Sequence, residues 1–326
     1  MARRRPEESD IRIRPAKSTR RRSKDRPSHS DSIAAQVITV DRGRTLCRIA
    51  SGQLVSAMKA RELGKNSVVV GDLVNIVGDV SGDTGSLARI VAVQPRRNSL
   101  SRTIDDAGAF EKTIAANLDQ MIIVAASADP SPRQGFIDRC LAVAFDQGIK
   151  PIIVMSKADL ADPDEFLSAY KDLNVEYLKL KRGDDLTQLH KILEAKVSVL
   201  IGHSGVGKST LVNALLGIEK RDTGDVNLTT GRGRHTSSSA ISFELPNGGW
   251  IIDTPGVRSF GLEHIDKSRV IASFTEFESV IASCPKNCSH DEATCALNNY
   301  VKASPQASSR LASLQRLLDS SSQEII

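Results

Sequence analysis

The chain has 326 residues, 40% of them apolar and 25% charged, with a net charge of +5. That length allows two or three domains with buried cores rather than a single compact unit. No run approaches the eighteen or more apolar residues of a membrane span, and the opening stretch MARRRPEESD lacks the apolar segment of a secretory signal, so the expectation is a cytoplasmic protein with no membrane partner.

Residues 1–32 hold eleven Lys+Arg against five Asp+Glu, residues 33–100 nine against five, and residues 101–326 sum to −5. The positive field therefore lies at the front of the chain, as expected for a nucleic-acid partner or for a solubilising arm. Residues 1–32, with RRRP, STRRRSKDRPSHSDS and no apolar periodicity, bury too little to offset the entropy of ordering and are predicted to be a disordered basic arm.

Residues 33–100 carry five short β-runs, AQVITV, TLCRIA, QLVSAMKA, SVVVGDLVNIV and GSLARIVAV, broken by glycine turns. Five such runs in under 70 residues predict a small barrel of the OB type. The segment contains no Phe, Trp, Tyr or His, so stacking on bases is closed to it. Contact with nucleic acid would fall to Arg42, Arg44, Arg48, Lys59, Arg61 and Lys65 acting on backbone and shape; the alternative is that these are solvated barrel charges.

A third domain, residues 101–262, alternates β-runs (QMIIVAA, KPIIVMS, VEYLKL, KVSVLIG, AISFELP, GWIID) with amphipathic stretches such as RQGFIDRCLAVAFDQG and LTQLHKILEA. This pattern predicts a parallel sheet with helices on both faces. Residues 263–326 are expected to be mainly helical, with Val270, Ile271, Phe274, Phe277 and Ile281 on one face and Leu311, Leu314 and Leu318 on another.

Gly202, His203, Ser204, Gly205, Val206, Gly207, Lys208 and Ser209 match G-x-x-x-x-G-K-[ST] between the apolar strand VSVLI and the expected helix STLVNALLG, and they are taken with Thr210 as nucleotide-binding residues. Backbone N–H groups there converge on phosphate oxygens, Lys208 reaches the β and γ phosphates, and Ser209 is suited to Mg²⁺. Downstream, Asp253-Thr254-Pro255-Gly256 ends a strand, which places Asp253 on the metal side and the Gly256 N–H toward the γ-phosphate. Between the two lies TGDVNLTTGRGRHTSSS, a polar segment expected to order only around a ligand. Val257 follows the DTPG turn and no Gln stands nearby, so intrinsic hydrolysis is expected to be slow. His235 is the candidate catalytic residue, a neutral imidazole able to accept a proton from water.

MSKADL leaves a sheet strand at Ser156, where a nucleotide would lie; Ser156, Lys157 and Asp159 form the candidate base loop. An Asp carboxylate accepts from guanine N1–H and its 2-amino group, and adenine offers neither donor. The chain order base loop, phosphate loop, polar segment, DTPG is a circular permutation of the usual one.

Cys284, Cys288, His290 and Cys295 cluster within twelve residues, a soft four-ligand set suited to one closed, structural, tetrahedral Zn²⁺; Cys47 and Cys140 stand apart. The expected architecture is multidomain: an OB-fold β-barrel, a circularly permuted α/β P-loop domain and a helical zinc-binding lobe.

VVVGDLV, RRNSLSR, IAANLDQMIIVAA, SKADL, GHSGVGKSTLVNALLG, GRGRHTS, DTPGVRSFGL and CPKNCSHDEATCAL together resemble the RsgA family of circularly permuted GTPases of small ribosomal subunit biogenesis, over residues 33–300. The resemblance implies a GTPase using GTP and GDP with Mg²⁺, Thr236 as the switch threonine on that ion, and the 30S subunit and its rRNA as partners of a monomer. It further implies hydrolysis stimulated by the subunit and coupled to release. Two departures stand out: the family usually has Asn where this chain has Ser156, and one more residue in the first and last gaps of the metal cluster. A guanine-capping loop is placed near 180–184 without an assigned residue. Rival readings are a permuted GTPase of the large subunit, a nucleic-acid-binding module gated by nucleotide, and an ATP-using P-loop enzyme.

Overall fold

Alternation of buried and exposed residues builds the first domain, whose strands are β1 (Ile33–Asp41), β2 (Arg44–Ile49), β3 (Leu54–Lys59), β4 (Leu73–Gly78) and β5 (Ala88–Val93). The structure, a computed structural model, describes residues 29–320 apart from 42, 65–66, 104–110, 174, 219–239, 247, 255–264, 287, 291 and 305–306. The predicted arm therefore lies almost wholly outside the described residues, as do Arg42 and Lys65. Strands pair in the order β1-β2-β3-β5-β4 and β4 returns to β1, closing the barrel. Val55 and Ala57, Val74 and Ile76, Ala88 and Ile90 point inward at the two-residue period of a pleat. A fully buried Asp72 organises its base: the Arg96 guanidinium donates to both carboxylate oxygens at 2.7 and 2.9 Å, and the Val69 N–H at 2.8 Å.

A hairpin of β6 (Ser99–Thr103) and β7 (Glu111–Ala116) follows and was not expected. It crosses the 100/101 boundary drawn from sequence. Apart from Leu100 and Ile114 its strands hold only small or polar residues, too little alternation to register as a β-run.

The next elements are β8 (Gln120–Ala126), α1 (Gln134–Asp146), β9 (Lys150–Ser156), α2 (Asp164–Leu167), β10 (Glu176–Lys179), α3 (Thr187–Leu193), β11 (Val197–Ile201), α4 (Lys208–Leu215), β12 (Ile241–Glu244) and β13 (Trp250–Asp253). They form a sheet in the order β10-β9-β8-β11-β13-β12, parallel except for β12. Every residue of β8 is buried, with Met121, Ile123 and Ala125 facing α1 and Ile122, Val124 and Ala126 facing α3 and α4. Such two-sided burial is the property of a parallel sheet covered on both faces.

Barrel and sheet join edge to edge where Thr39 of β1 pairs with Ile241 of β12. Arg48 seals the seam, 3.0 Å from the Glu244 carboxylate with its guanidinium 5.3 Å from the Trp250 ring centre. Arg48, expected among the nucleic-acid-facing cations, is thus engaged within the chain.

The C-terminal lobe comprises α5 (Lys267–Ala272), α6 (Glu278–Ile281), α7 (Ala296–Ala303) and α8 (Ser308–Ser320). The single helical face expected over 270–281 is split: the Ser273 hydroxyl donates to the Val270 carbonyl at 2.6 Å, α5 stops, and a 3₁₀ turn, Thr275–Phe277, intervenes. Val270, Phe274 and Phe277 nevertheless bury together, joined by Leu311, Leu314 and Leu318 of α8. Among the described residues no helix is long and apolar enough to cross a membrane.

Candidate nucleotide site and metal centre

Strand order reverses between the parallel neighbours β8 and β11: β9 and β10 extend the sheet on one side, β13 and β12 on the other. This is the switch point at which parallel sheets bind ligands beyond their strand ends. The candidate segments leave the sheet at this end, after β9, β10, β11 and β13.

The loop after β11 is shaped by close approach. A Cβ on Gly202 would lie 2.3 Å from the Val124 carbonyl oxygen, and Gly205 and Gly207 adopt φ of +82° and +91°, a region open to glycine. Val206 is buried and anchors the loop's underside, while Ser204 and Gly205 stay exposed. Lys208 opens α4 and donates its ammonium to the Gly202 carbonyl at 2.5 Å and the His203 carbonyl at 3.0 Å. Asp253 ends β13 alongside, in register with Leu200 of β11. Burial lowers the Lys208 pKa, with Asp253 pulling the other way, and burial raises that of Asp253, with Lys208 opposing. Both groups are thus held where charge is costly, so an incoming anion and cation are favoured.

Ser156 ends β9, and its hydroxyl lies 2.6 Å from the Val206 carbonyl and 3.2 Å from that of Ala125. One O–H supplies one proton, and the shorter contact ties the base loop to the phosphate loop. Lys157 takes a φ of +54°, and its ammonium donates to the Asp129 carbonyl. Ala158 donates its N–H to the Leu180 carbonyl at 3.1 Å, and the Lys181 N–H is capped by the Asp184 carboxylate at 2.8 Å. The 180–184 loop thus touches the base loop at Leu180, and Asp159 is exposed.

His203 carries a feature that sequence did not suggest. Its ring lies 4.1 Å from the Phe136 ring of α1, and burial, together with Arg133, Lys208 and Arg139, depresses its pKa. No pattern flagged this, because a loop residue and a helix residue 67 positions apart leave no local trace.

In the C-terminal lobe the Cys284 and Cys295 sulfurs lie 3.8 Å apart, and the His290 Nδ1 is 3.7 and 3.6 Å from them. With Cys288, all four ligand atoms fall within 4.8 Å of one another. A tetrahedral zinc with bonds of about 2.3 Å to sulfur needs ligand separations of about 3.8 Å, so three thiol groups and one imidazole fit the ion with no position left open. The short gaps are accommodated by a tight reversal: His290 adopts φ +69° and its carbonyl accepts from Gln315 of α8 at 2.9 Å.

The model of the family described as RsgA GTPase matches residues 93–263. The chain belongs to the RsgA GTPase family. Relatives named small ribosomal subunit biogenesis GTPase RsgA include that of Ectopseudomonas mendocina, 40% identical over 242 residues, 71% of this chain and 69% of the relative. That of Shewanella oneidensis is 39% identical over 266 residues, 78% of this chain and 74% of the relative. Among solved structures, YjeQ from Thermotoga maritima superposes with a TM-score of 0.64 at 24% identity, covering 88% of this chain and 98% of that one. YloQ, described as a circularly permuted GTPase, gives 0.64 at 20% identity, covering 91% and 98%. These two likenesses are of fold.

In this RsgA-family chain the phosphate loop, Ser156, Lys157, Asp159 and Asp253 meet at one end of the sheet, while the metal cluster sits in the separate helical lobe. His235, Thr236, Gly256 and Val257 lie outside the described residues.

Proposed function

We propose that this protein binds guanine nucleotides at the strand ends around Ser156 and Lys208, hydrolyses GTP, and assists late maturation of the small ribosomal subunit. The observation that most supports this reading is the contact between the Ser156 hydroxyl and the Val206 carbonyl, as expected if a base-reading segment and a phosphate-binding loop serve one site despite their inverted chain order. The names of the relatives supply the ribosomal setting.

In this reading the backbone of residues 202–207 cradles the phosphates, Lys208 neutralises β and γ oxygens, and Asp159 accepts from guanine. Ser209, Thr236 and Asp253 would hold Mg²⁺, which when bound would offset the negative charge of the phosphates. His235 accepts the proton of the attacking water. The cationic arm and barrel, with the zinc lobe, engage rRNA of the 30S particle; the subunit stimulates hydrolysis, and hydrolysis releases the factor, which acts as a cytoplasmic monomer.

Competition against labelled GDP tests the base assignment. GTP is expected to compete and ATP not, and Asp159→Asn is expected to lose GDP while gaining xanthosine diphosphate, whose 2-oxo group accepts from an amide. ATP competing as well as GTP would replace this reading with that of an ATP-using enzyme.

A further inference from the structure

Helix α1 has the phosphate loop at one end and the zinc lobe along its length. At its start the buried Phe136 packs against the His203 ring at 4.1 Å. One turn or less further on, Asp138, almost fully buried, receives the Arg316 guanidinium of α8 at 2.8 Å. Arg316 also donates to the Ala169 carbonyl at 3.2 Å and lies over the Tyr170 ring at 5.4 Å. The preceding residue, Gln315, holds the His290 carbonyl of the metal cluster at 2.9 Å. Near the far end of α1, Asp146 accepts the Asp266 N–H at 3.1 Å.

A buried ion pair is a poor way to hold two helices together. Desolvation offsets most of its attraction, even with the Tyr170 hydroxyl as a further partner of the Asp138 carboxylate. Leu311, Leu314 and Leu318 already supply apolar packing for α8, but apolar contact is not directional. What Arg316 adds is orientation: a planar fork shared between a carboxylate, a carbonyl and a ring face fixes the rotation and height of α8 on α1.

We propose that Arg316 is a positioning residue for GTP hydrolysis: through Asp138 it sets α1, and through Phe136 and His203 it sets the phosphate loop, so that the metal cluster held by Gln315 and the nucleotide site share one rigid connection. The inference rests on the GTPase reading above. It follows a path through described residues and needs no contribution from the segment after Asp253. A partner that moves the metal cluster would reach the phosphate loop by the same route.

The discriminating variant is the double replacement Asp138→Leu with Arg316→Met in the full zinc-loaded chain, because exchanging both members of a buried pair for apolar groups of similar size preserves stability. The expected result is an unchanged or higher melting temperature and undiminished zinc, with subunit-stimulated kcat lowered about fivefold or more while KM stays within about twofold. The His203 ring resonance, assigned with His203→Gln, is expected to shift in the double variant. Arg316→Lys, which keeps the charge but loses the fork, is expected to recover part of both effects and serves if the double variant misfolds. Wild-type kcat together with an unmoved His203 resonance would overturn the proposal. If the unaltered chain hydrolyses no GTP, the GTPase reading fails, while the His203 resonance still decides whether the connection exists.

Discussion

The Ser156 hydroxyl donates to the Val206 carbonyl at 2.6 Å, so its one proton is committed to the phosphate loop and not to the base. Base recognition then rests on Asp159. Ser156→Ala is expected to weaken GDP and GTP equally, by about 1 kcal/mol or about fivefold in Kd. Ser156→Asn, whose amide serves both the loop and the base, is expected to tighten both by a similar factor. Fluorescent-nucleotide titration measures each, and unchanged affinity in both variants contradicts this division of labour.

Gly202 meets the Val124 carbonyl so closely that any side chain must displace the loop. Gly202→Ala is expected to cost about 1–3 kcal/mol of stability through forced backbone movement. Turnover is expected to fall about a hundredfold, since a shift of about 1 Å in the groups that hold the phosphates has that effect. Denaturant titration and single-turnover hydrolysis report the two separately.

The barrel depends on a buried carboxylate. Asp72 is wholly enclosed and its charge is met by Arg96 and the Val69 N–H. Arg96→Ala leaves that carboxylate buried without its cation and is expected to destabilise the barrel by about 3–5 kcal/mol. Asp72→Asn with Arg96→Met is expected to be milder than Arg96→Ala alone, and hydrogen exchange of residues 33–93 distinguishes the two.

These contacts mark what sequence could and could not disclose. The phosphate loop, the SKAD segment and the four metal ligands are local patterns whose residue types and spacing carry their own chemistry, and so were legible. The strands of barrel and sheet were legible because β-runs are short, apolar and punctuated. The hairpin β6–β7 escaped because its strands have few large apolar residues, and the break at Ser273 because a hydroxyl bonding back to a carbonyl leaves the apolar spacing intact. Arg316 and Asp138, 178 residues apart, form a pair that no local pattern encodes. Arg48 shows the same limit from the other side: its charge was legible, its partner across the seam was not.

The sulfur and nitrogen separations of 3.6 to 3.8 Å around Cys284, His290 and Cys295 match a tetrahedral ion. Metal analysis of purified protein is expected to give about one zinc per chain, and Cys295→Ser to lower it sharply with loss of exchange protection in α7 and α8, since a closed site contributes folding energy directly. Less than about half an equivalent in the unaltered protein contradicts the assignment.

One site, assembled from segments in permuted order, is proposed to hydrolyse GTP in response to the small ribosomal subunit. Its most direct test is GTP turnover by the purified chain alone, with isolated small subunits, and with large subunits. A slow basal rate, stimulation by small subunits and none by large ones are expected; no turnover under any condition, or stimulation by large subunits only, would overturn this reading.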